Sequence, residues 1–141
     1  MADFDQNGEI IRSEKLDGSR AWCHIMYGLH ALSALSGILT SATIVGQFIF
    51  GWPSIIAVII NYVTRSNVRG SWLDSHWSWQ LRTFWWAVLL GAIAWLFAWL
   101  LIISLIGILI YWLPFAVVGL WVLYRVARGW SALVSRNSMP I

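Results

Sequence analysis

Charged residues are scarce in this chain, and their scarcity excludes a soluble globular protein. Only 11% of the 141 residues are Asp, Glu, Lys or Arg, whereas 60% are hydrophobic. In a soluble domain about a quarter of the residues are charged. No charged residue occurs from Ala21 to Thr64 or from Thr83 to Tyr124. We therefore predict an integral membrane protein of one small domain, with no added soluble catalytic unit.

Cysteine and acidic residues are also rare, which argues against several kinds of site. Cys23 is the only cysteine, so no disulfide can form within the chain. His24 and His30 do not share a helix face, and no Cys-x-x-Cys or His-x-x-x-His pair occurs. Asp74 is the only acidic residue beyond the first 20 positions. We expect no metal site, no cofactor and no set of catalytic residues.

Prolines and glycines divide the two uncharged stretches into hairpins. Pro53 and Pro114 suit the first turn of a helix, and each stretch is about twice as long as one span requires. The predicted fold is all-α, a membrane four-helix bundle of two hairpins, with helices at about Trp22 to Gln47, Pro53 to Arg65, Trp72 to Ile106 and Pro114 to Leu133. A loosely ordered polar cytoplasmic arm at 1–20 precedes the membrane domain at 21–133, and a cytoplasmic tail at 134–141 follows it. The second helix is short, and a re-entrant hairpin is the alternative to a full crossing.

The hinge at 64–83, between the two hairpins, is rich in tryptophan. Ser71 precedes Trp72 and Asp74 with the spacing of a capping box, which predicts a helix start at Trp72. Tryptophan favours the depth of lipid headgroups. We expect this segment to lie as an interfacial helix before the third span, with surface tryptophans at positions 72, 77, 79, 85 and 86.

The basic residues indicate an orientation in the membrane. All of them lie in the arm, in the hinge or towards the C-terminus, at Arg12, Lys15, Arg20, Arg65, Arg69, Arg82, Arg125, Arg128 and Arg136. Cytoplasmic loops of membrane proteins are enriched in Lys and Arg. We predict a multi-pass protein of the cytoplasmic (bacterial inner) membrane with both termini and the hinge inside. The net charge of +3 suits anionic lipid rather than nucleic acid, and the candidate headgroup contacts are Arg65, Arg69, Arg82, Arg125 and Arg128.

A polar face follows the first helix. Its members recur at steps of three and four and include His30, Ser33, Gly37, Thr40 and Gln47. Small residues let helices approach closely, and hydroxyls bond between helices. An ionisable residue at membrane depth also suggests a path for protons or solutes. Helix packing is the favoured interpretation, and a conducting path is the alternative.

The third helix carries a matching face that begins with His76 and Gln80. We expect this face to pack on the first helix, with both side chains bonded to backbone or hydroxyl partners. Catalysis by His76 would need a second acid-base group, and the nearest candidate in sequence, Asp74, would face elsewhere on a helix. We expect Asp74 to pair with an arginine of the hinge.

Three segments carry a resemblance to a known group of proteins. They are Asn61-Tyr62-Val63-Thr64-Arg65, the run from Ser75 to Trp85, and Tyr124-Arg125 with Arg128-Gly129-Trp130. They resemble small bacterial four-span membrane proteins of unknown function, which are distantly similar to the Tic-twenty-type chloroplast inner-envelope translocon subunit. His76 and Gln80 resemble the histidine and glutamine that this group carries after span two. The resemblance implies a four-helix fold and, at most, an accessory role in membrane translocation or assembly, without catalytic residues.

Two functions from different classes follow from these patterns. The leading hypothesis is a non-enzymatic interaction or assembly module that contacts lipid and either a larger membrane protein or copies of itself. The alternative is a homo-oligomeric transporter or channel for a small solute or ion, which would use the polar face of the first helix. An enzyme acting on lipid headgroups ranks third, since no convergent acid, base and nucleophile are visible.

Overall fold

The chain is helical throughout the parts that the structure describes. The computed structural model describes residues 5–40, 51–104 and 107–140, with side chains from residue 16 onward. The helices in these ranges are α1 (Asp5–Leu39), α2 (Trp52–Thr64), the 3₁₀ helix η1 (Arg65–Asn67), α3 (Trp72–Ile102), the single turn α4 (Gly107–Ile110) and α5 (Leu113–Val134). The described residues form no strand, and the all-α prediction is confirmed.

Helices α2, α3 and α5 begin where local sequence signals predict. Pro53 and Pro114 lie in the first turns of α2 and α5, where proline's fixed φ suits a helix and its missing N–H has no partner to lose. Helix α3 begins at Trp72, and Ser71 before it is extended, with φ −103° and ψ 167°. The predicted capping bond is absent, because the Ser71 hydroxyl donates instead to the carbonyl oxygen of Val68 at 2.6 Å.

Helix α1 starts much earlier than predicted. It runs for 35 residues from Asp5, through a segment for which a loosely ordered arm was expected. Each residue added to an existing helix gains a hydrogen bond without a new nucleation cost, and an aspartate at the N-terminus interacts favourably with the helix dipole. From Asp5 onward the arm is therefore a continuation of the first helix. The predicted end of this helix, including Gln47, lies outside the described residues.

An interfacial helix was predicted at the hinge, but the residues described there form no separate helix of that kind. A short connection joins α2 to α3. After η1 the chain turns at Gly70, whose φ of +76° lies in the region that favours glycine. Residues 72–83 are the first turns of α3, a helix of 31 residues in all that ends at Ile102. No proline interrupts this stretch, and α3 continues without a break, in agreement with the single helix predicted from Trp72.

Two tryptophans predicted to lie at the membrane surface are buried instead. Trp77 is 0% exposed and Trp79 is 6% exposed, whereas Trp85 and Trp86 are about half exposed. The reason is that α1, α2 and α5 pack around the first turns of α3. A buried indole N–H needs a partner, and Trp77 Nε1 finds one by donating to Thr64 Oγ1 at 3.1 Å.

The closest helix approaches are made by glycines on α5, not by the predicted glycine on α1. A methyl group added at Gly119 would meet the side chain of Ile38, and one added at Gly129 would overlap the ring of Tyr27. A methyl group at Gly37 would meet nothing within 4 Å. Among the described residues Gly37 therefore makes no close contact, and its predicted place in a helix interface stays a prediction.

Two helical segments are long and apolar enough to cross a membrane. They are Trp72–Ile102 and Gly107–Val134, and in their most apolar windows only 11% and 6% of the residues are buried. The buried side chains of α3 lie mainly before Thr83, and beyond it the small Ala94 and Ala98 are buried. The other described residues therefore leave most of the apolar surface of both segments uncovered.

Candidate functional site

Five buried polar side chains meet beside the first turns of α3. This polar cluster draws on three helices and consists of Cys23 and Tyr27 on α1, Asn61 on α2, and His76 and Gln80 on α3, each no more than 2% exposed. The pairs on α1 and on α3 are four residues apart, so each pair lies on one helix face. The sequence periodicity on α3 predicted its half of the cluster.

His76 uses both of its ring nitrogens within the fold. Its Nε2 lies 2.8 Å from the carbonyl oxygen of Asn137, which only accepts, so Nε2 is the donor. In the neutral ring Nδ1 is then the acceptor, and it receives the hydroxyl proton of Tyr27 at 3.0 Å. Neither nitrogen is left to act on a substrate, and these are the hydroxyl and backbone partners that the sequence led us to expect.

Gln80 and Asn61 connect the remaining helices. Gln80 donates from Nε2 to Cys23 Sγ at 3.5 Å and accepts at Oε1 from Asn61 Nδ2 at 3.4 Å, so its partners are a thiol and an amide, not the backbone or hydroxyl groups that were predicted. Asn61 Nδ2 also donates to the carbonyl oxygen of Trp77 at 3.1 Å. Buried polar groups are costly unless they are bonded. These bonds therefore hold α1, α2 and α3 in a fixed arrangement.

The C-terminal tail packs against the same end of the helices. The backbone N–H of Met139 donates to Ser75 Oγ at 2.9 Å, and the Met139 side chain is 5% exposed. The N–H of Asn137 donates to the carbonyl oxygen of Ala132 at 2.9 Å. The predicted tail at 134–141 is thus, over its described residues, attached to α3 and part of the site.

Three arginines surround one tryptophan next to the polar cluster. The guanidinium carbons of Arg125, Arg128 and Arg82 lie 3.8, 5.6 and 5.7 Å from the centre of the Trp79 ring. Arg125 is fixed by a bond from Nε to Thr83 Oγ1 at 2.9 Å, and Trp79 Nε1 donates to the Arg125 carbonyl at 3.2 Å. We call Arg82, Arg125 and Arg128 the arginine cluster. Guanidinium groups over an indole face are stabilised by cation–π attraction.

The other two candidate arginines do not join this cluster. Arg65 lies with Nε 3.9 Å from Asp74 Oδ1, and its Nη2 donates to Ser78 Oγ at 3.1 Å. Asp74 therefore pairs with a hinge arginine, as expected. Arg69 is exposed in the turn before α3. The five candidate headgroup contacts thus separate into a group of three and two outlying residues.

The polar face predicted on α1 does not converge on a site. His30 is 5% exposed, and its Nδ1 lies 3.0 Å from Ser54 Oγ, which links α1 to α2. Its Nε2 has no partner among the described residues. Thr40 donates to the carbonyl of Ser36 in its own helix at 2.7 Å. Ser33 and Gly37 are half-buried, and Gln47 lies outside the described residues.

Several contributors to the site were missed from the sequence. Asn61 gives a signal that could have been used, because it is polar within an otherwise apolar helix. Tyr27 and Trp79 give none, since aromatic residues are spread along the whole chain. Within the ranges that the structure describes, no group of three or more His, Cys, Asp or Glu residues is placed to hold a metal ion.

Comparisons with protein-family models, curated proteins and solved structures found no match for this chain. The resemblance to the small four-span membrane proteins therefore stays a prediction.

Proposed function

We propose that this chain is a multi-pass protein of the cytoplasmic membrane that acts as a non-enzymatic interaction module. The observation that carries the proposal is the contrast between its two ends. At one end, polar side chains from three helices and the tail are buried and bonded to one another. At the other, α3 and α5 leave most of their apolar surface bare.

The dimensions of α3 support a membrane crossing. From Arg82 to Ile102 the helix rises about 30 Å, which is the thickness of a bilayer's hydrocarbon layer. Exposed tryptophans flank the stretch, with Trp85 and Trp86 near Arg82 and Trp99 near the far end. Tryptophan is enriched at both membrane interfaces. The core helix of a soluble protein would be mostly buried, whereas this one is not.

Four spans of alternating direction suit the helix contacts. Near the polar cluster, Tyr27 on α1 meets His76 on α3, and Asn61 on α2 meets Gln80. The carbonyl of Arg125 on α5 accepts from α3 at the same end. This end carries the arginines of the hinge and of α5, so the positive-inside rule makes it the cytoplasmic end. Helix α2 is only about 20 Å long, and the bilayer would thin locally beside it.

The bare faces of α3 and α5 are the surfaces we propose for a partner. Leu96 and Leu100 on α3 are 64% and 66% exposed, and Val117 and Leu120 on α5 are 59% and 58% exposed. Such faces bury against lipid, a larger membrane protein or another copy of the chain. A role as an accessory to membrane translocation or assembly, as the resemblance implies, belongs to the same proposal.

The small-solute path along α1 has less support. It requires side chains that are free to exchange ligands along one face, yet His30 is bonded to Ser54 and Thr40 is bonded to its own helix. The unpartnered Nε2 of His30 is the observation in its favour.

Photo-crosslinking in the native membrane tests the proposed module. A photoreactive residue is introduced at Leu96, Leu100, Val117 or Leu120, and at exposed Arg69 as a control outside the bare faces. We expect a protein adduct of fixed mass from one or more of the four membrane positions and none from position 69. Adducts with lipid alone at all four positions would contradict the interaction module. A protein that leaves the membrane in alkaline carbonate would contradict the membrane assignment.

A further inference from the structure

The arginine cluster concentrates positive charge without a described acidic partner. Arg82, Arg125 and Arg128 all approach the ring of Trp79, so the three cations share one small volume. Among the side chains that the structure describes, the one ion pair is Arg65 with Asp74, outside this cluster. Like charges held close together repel. The Trp79 ring offsets part of that repulsion, and an anion would offset the remainder.

Two adjoining cavities extend from the arginine cluster along α3. The first, of about 190 Å³, is lined by Trp79, Arg82, Trp86, Arg125 and Pro140. The second, of about 410 Å³, shares Arg82 and Trp86 with the first and is otherwise lined by Tyr62, Leu81, Trp85 and Leu89. The first is basic and the second is mainly apolar.

The order of the two cavities matches the order of groups in a phospholipid. Leu89 lies two helical turns beyond Arg82, about 10 Å towards the proposed membrane interior. A headgroup phosphate at Arg82 and Arg125 would therefore leave its acyl chain beside Trp86 and Leu89. Guanidinium groups bind phosphate through paired, charge-assisted hydrogen bonds. The cytoplasmic leaflet supplies anionic lipids at this depth.

We infer that this chain binds an anionic glycerophospholipid, with the phosphate at the arginine cluster and one acyl chain in the groove of Trp86 and Leu89. The inference rests on the proposed membrane crossing, because the groove must face hydrocarbon. Arg82 also donates to the carbonyl of Pro140. The lipid phosphate would therefore contact α3 and α5 and lie next to Pro140, which Arg82 attaches to α3. Binding would tighten the tail on α3.

Native mass spectrometry of the protein in detergent, titrated with phosphatidylglycerol or phosphatidylcholine of the same chain length, tests this site. The informative variants are the single change Arg128→Gln and the double change of Arg82→Gln with Arg128→Gln. Arg82 and Arg128 are both exposed, so neither change opens the interior. Each variant has a control that removes the same charge outside the cluster. Arg69→Gln matches the single variant, and Arg69→Gln with Arg136→Gln matches the double variant. Thermal unfolding of each variant shows that the fold survives.

We expect phosphatidylglycerol to be retained in preference to phosphatidylcholine. Each arginine lost from the cluster should weaken that retention about fivefold, and the controls should leave it nearly unchanged. Equal losses in the controls, or no preference between the two lipids, would overturn the site. Displacement of the lipid by millimolar inorganic phosphate would also overturn it, since it would show that the acyl groove contributes nothing.

A second variant separates the acyl groove from the charge. Leu89→Asn should weaken phosphatidylglycerol retention and leave binding of soluble glycerol phosphate unchanged, whereas Leu109→Asn, at an exposed position on α4, should change neither. Equal effects of the two substitutions would contradict the groove. Failure of the lipid site is distinguishable from failure of the proposed function, because a protein without membrane spans would remain soluble without detergent and would retain neither lipid.

Discussion

Gly129→Ala is expected to destabilise the fold because Gly129 lies directly against Tyr27. A methyl group at this position would overlap the hydroxyl and two ring carbons of Tyr27. The tyrosine is 1% exposed, and its hydroxyl donates to His76. The ring therefore has no free space to enter, and moving it would break the bond that joins α1 to α3.

The expected cost follows from three contributions. Forcing a methyl group into a packed interior costs about 1–3 kcal/mol, and losing the Tyr27 to His76 bond costs about 1 kcal/mol more. Alanine's better helix propensity returns about 1 kcal/mol. The free energy of unfolding should fall by about 1–3 kcal/mol. For a chain of this size each kcal/mol lowers the melting temperature by roughly 2–4 °C.

Unfolding in mixed micelles, followed by circular dichroism, measures the effect. Gly37→Ala and Gly91→Ala are matched controls, because a methyl group at either position meets nothing within 4 Å. We expect both controls to be neutral or slightly stabilising. Tyr27→Phe combined with Gly129→Ala should lose less than the sum of the two single changes, since the phenylalanine lacks the overlapping hydroxyl. An unchanged Gly129→Ala variant, or strictly additive changes, would refute the reasoning.

Three other outcomes test separate contacts. Ser75→Ala removes the acceptor of the Met139 N–H, so amide exchange in the tail should accelerate and stability should fall by about 1 kcal/mol; unchanged exchange would contradict the attached tail. His30→Ala leaves the Ser54 hydroxyl without its partner on α1, so the free energy of unfolding should fall by about 1–3 kcal/mol. Ion flux in liposomes should not change, and altered flux in a folded variant would favour the solute path. Cys23 is 0% exposed and should react with maleimide only after unfolding, so rapid labelling of the folded protein would contradict its burial.

The starts of α2, α3 and α5 were predictable because their signals are local. Proline constrains φ at its own position, and Ser71 precedes a run of helix-compatible residues, so these boundaries depend on few neighbours. The face formed by His76 and Gln80 was predictable for a similar reason, since a spacing of four residues aligns side chains on any helix.

The depth of each tryptophan was not predictable in the same way. Trp77 and Trp86 have the same side chain and lie on the same helix, yet one is fully buried and the other is half exposed. Their difference depends on how α1, α2 and α5 surround the first turns of α3, which no local pattern specifies. Composition predicted surface tryptophans for the whole hinge, and packing removed two of them from the surface.

Small residues illustrate the same limit. Gly37 on α1 and Gly129 on α5 are both helical glycines in apolar surroundings, but only Gly129 lies against a large side chain. A small residue makes a tight interface only where its partner is bulky and correctly placed, and the partner comes from another helix. The sequence therefore predicted that close approaches would occur but could not identify Gly129 as one of them.

The two ends of the proposed membrane domain are held together by different forces, and this difference suits an interaction module. Inside lipid the hydrophobic effect does not drive helices together, so packing and hydrogen bonds must do so. At the arginine end, separating α1 from α3 would break the bond of His76 Nδ1 to Tyr27 and that of Gln80 Nε2 to Cys23, which costs free energy at buried polar atoms. At the far end, separating α3 from its neighbours would expose mainly Ala94 and Ala98. The polar cluster therefore stabilises the arginine end of the fold, while the exposed apolar side chains farther along α3 and α5 remain the surface proposed for a partner.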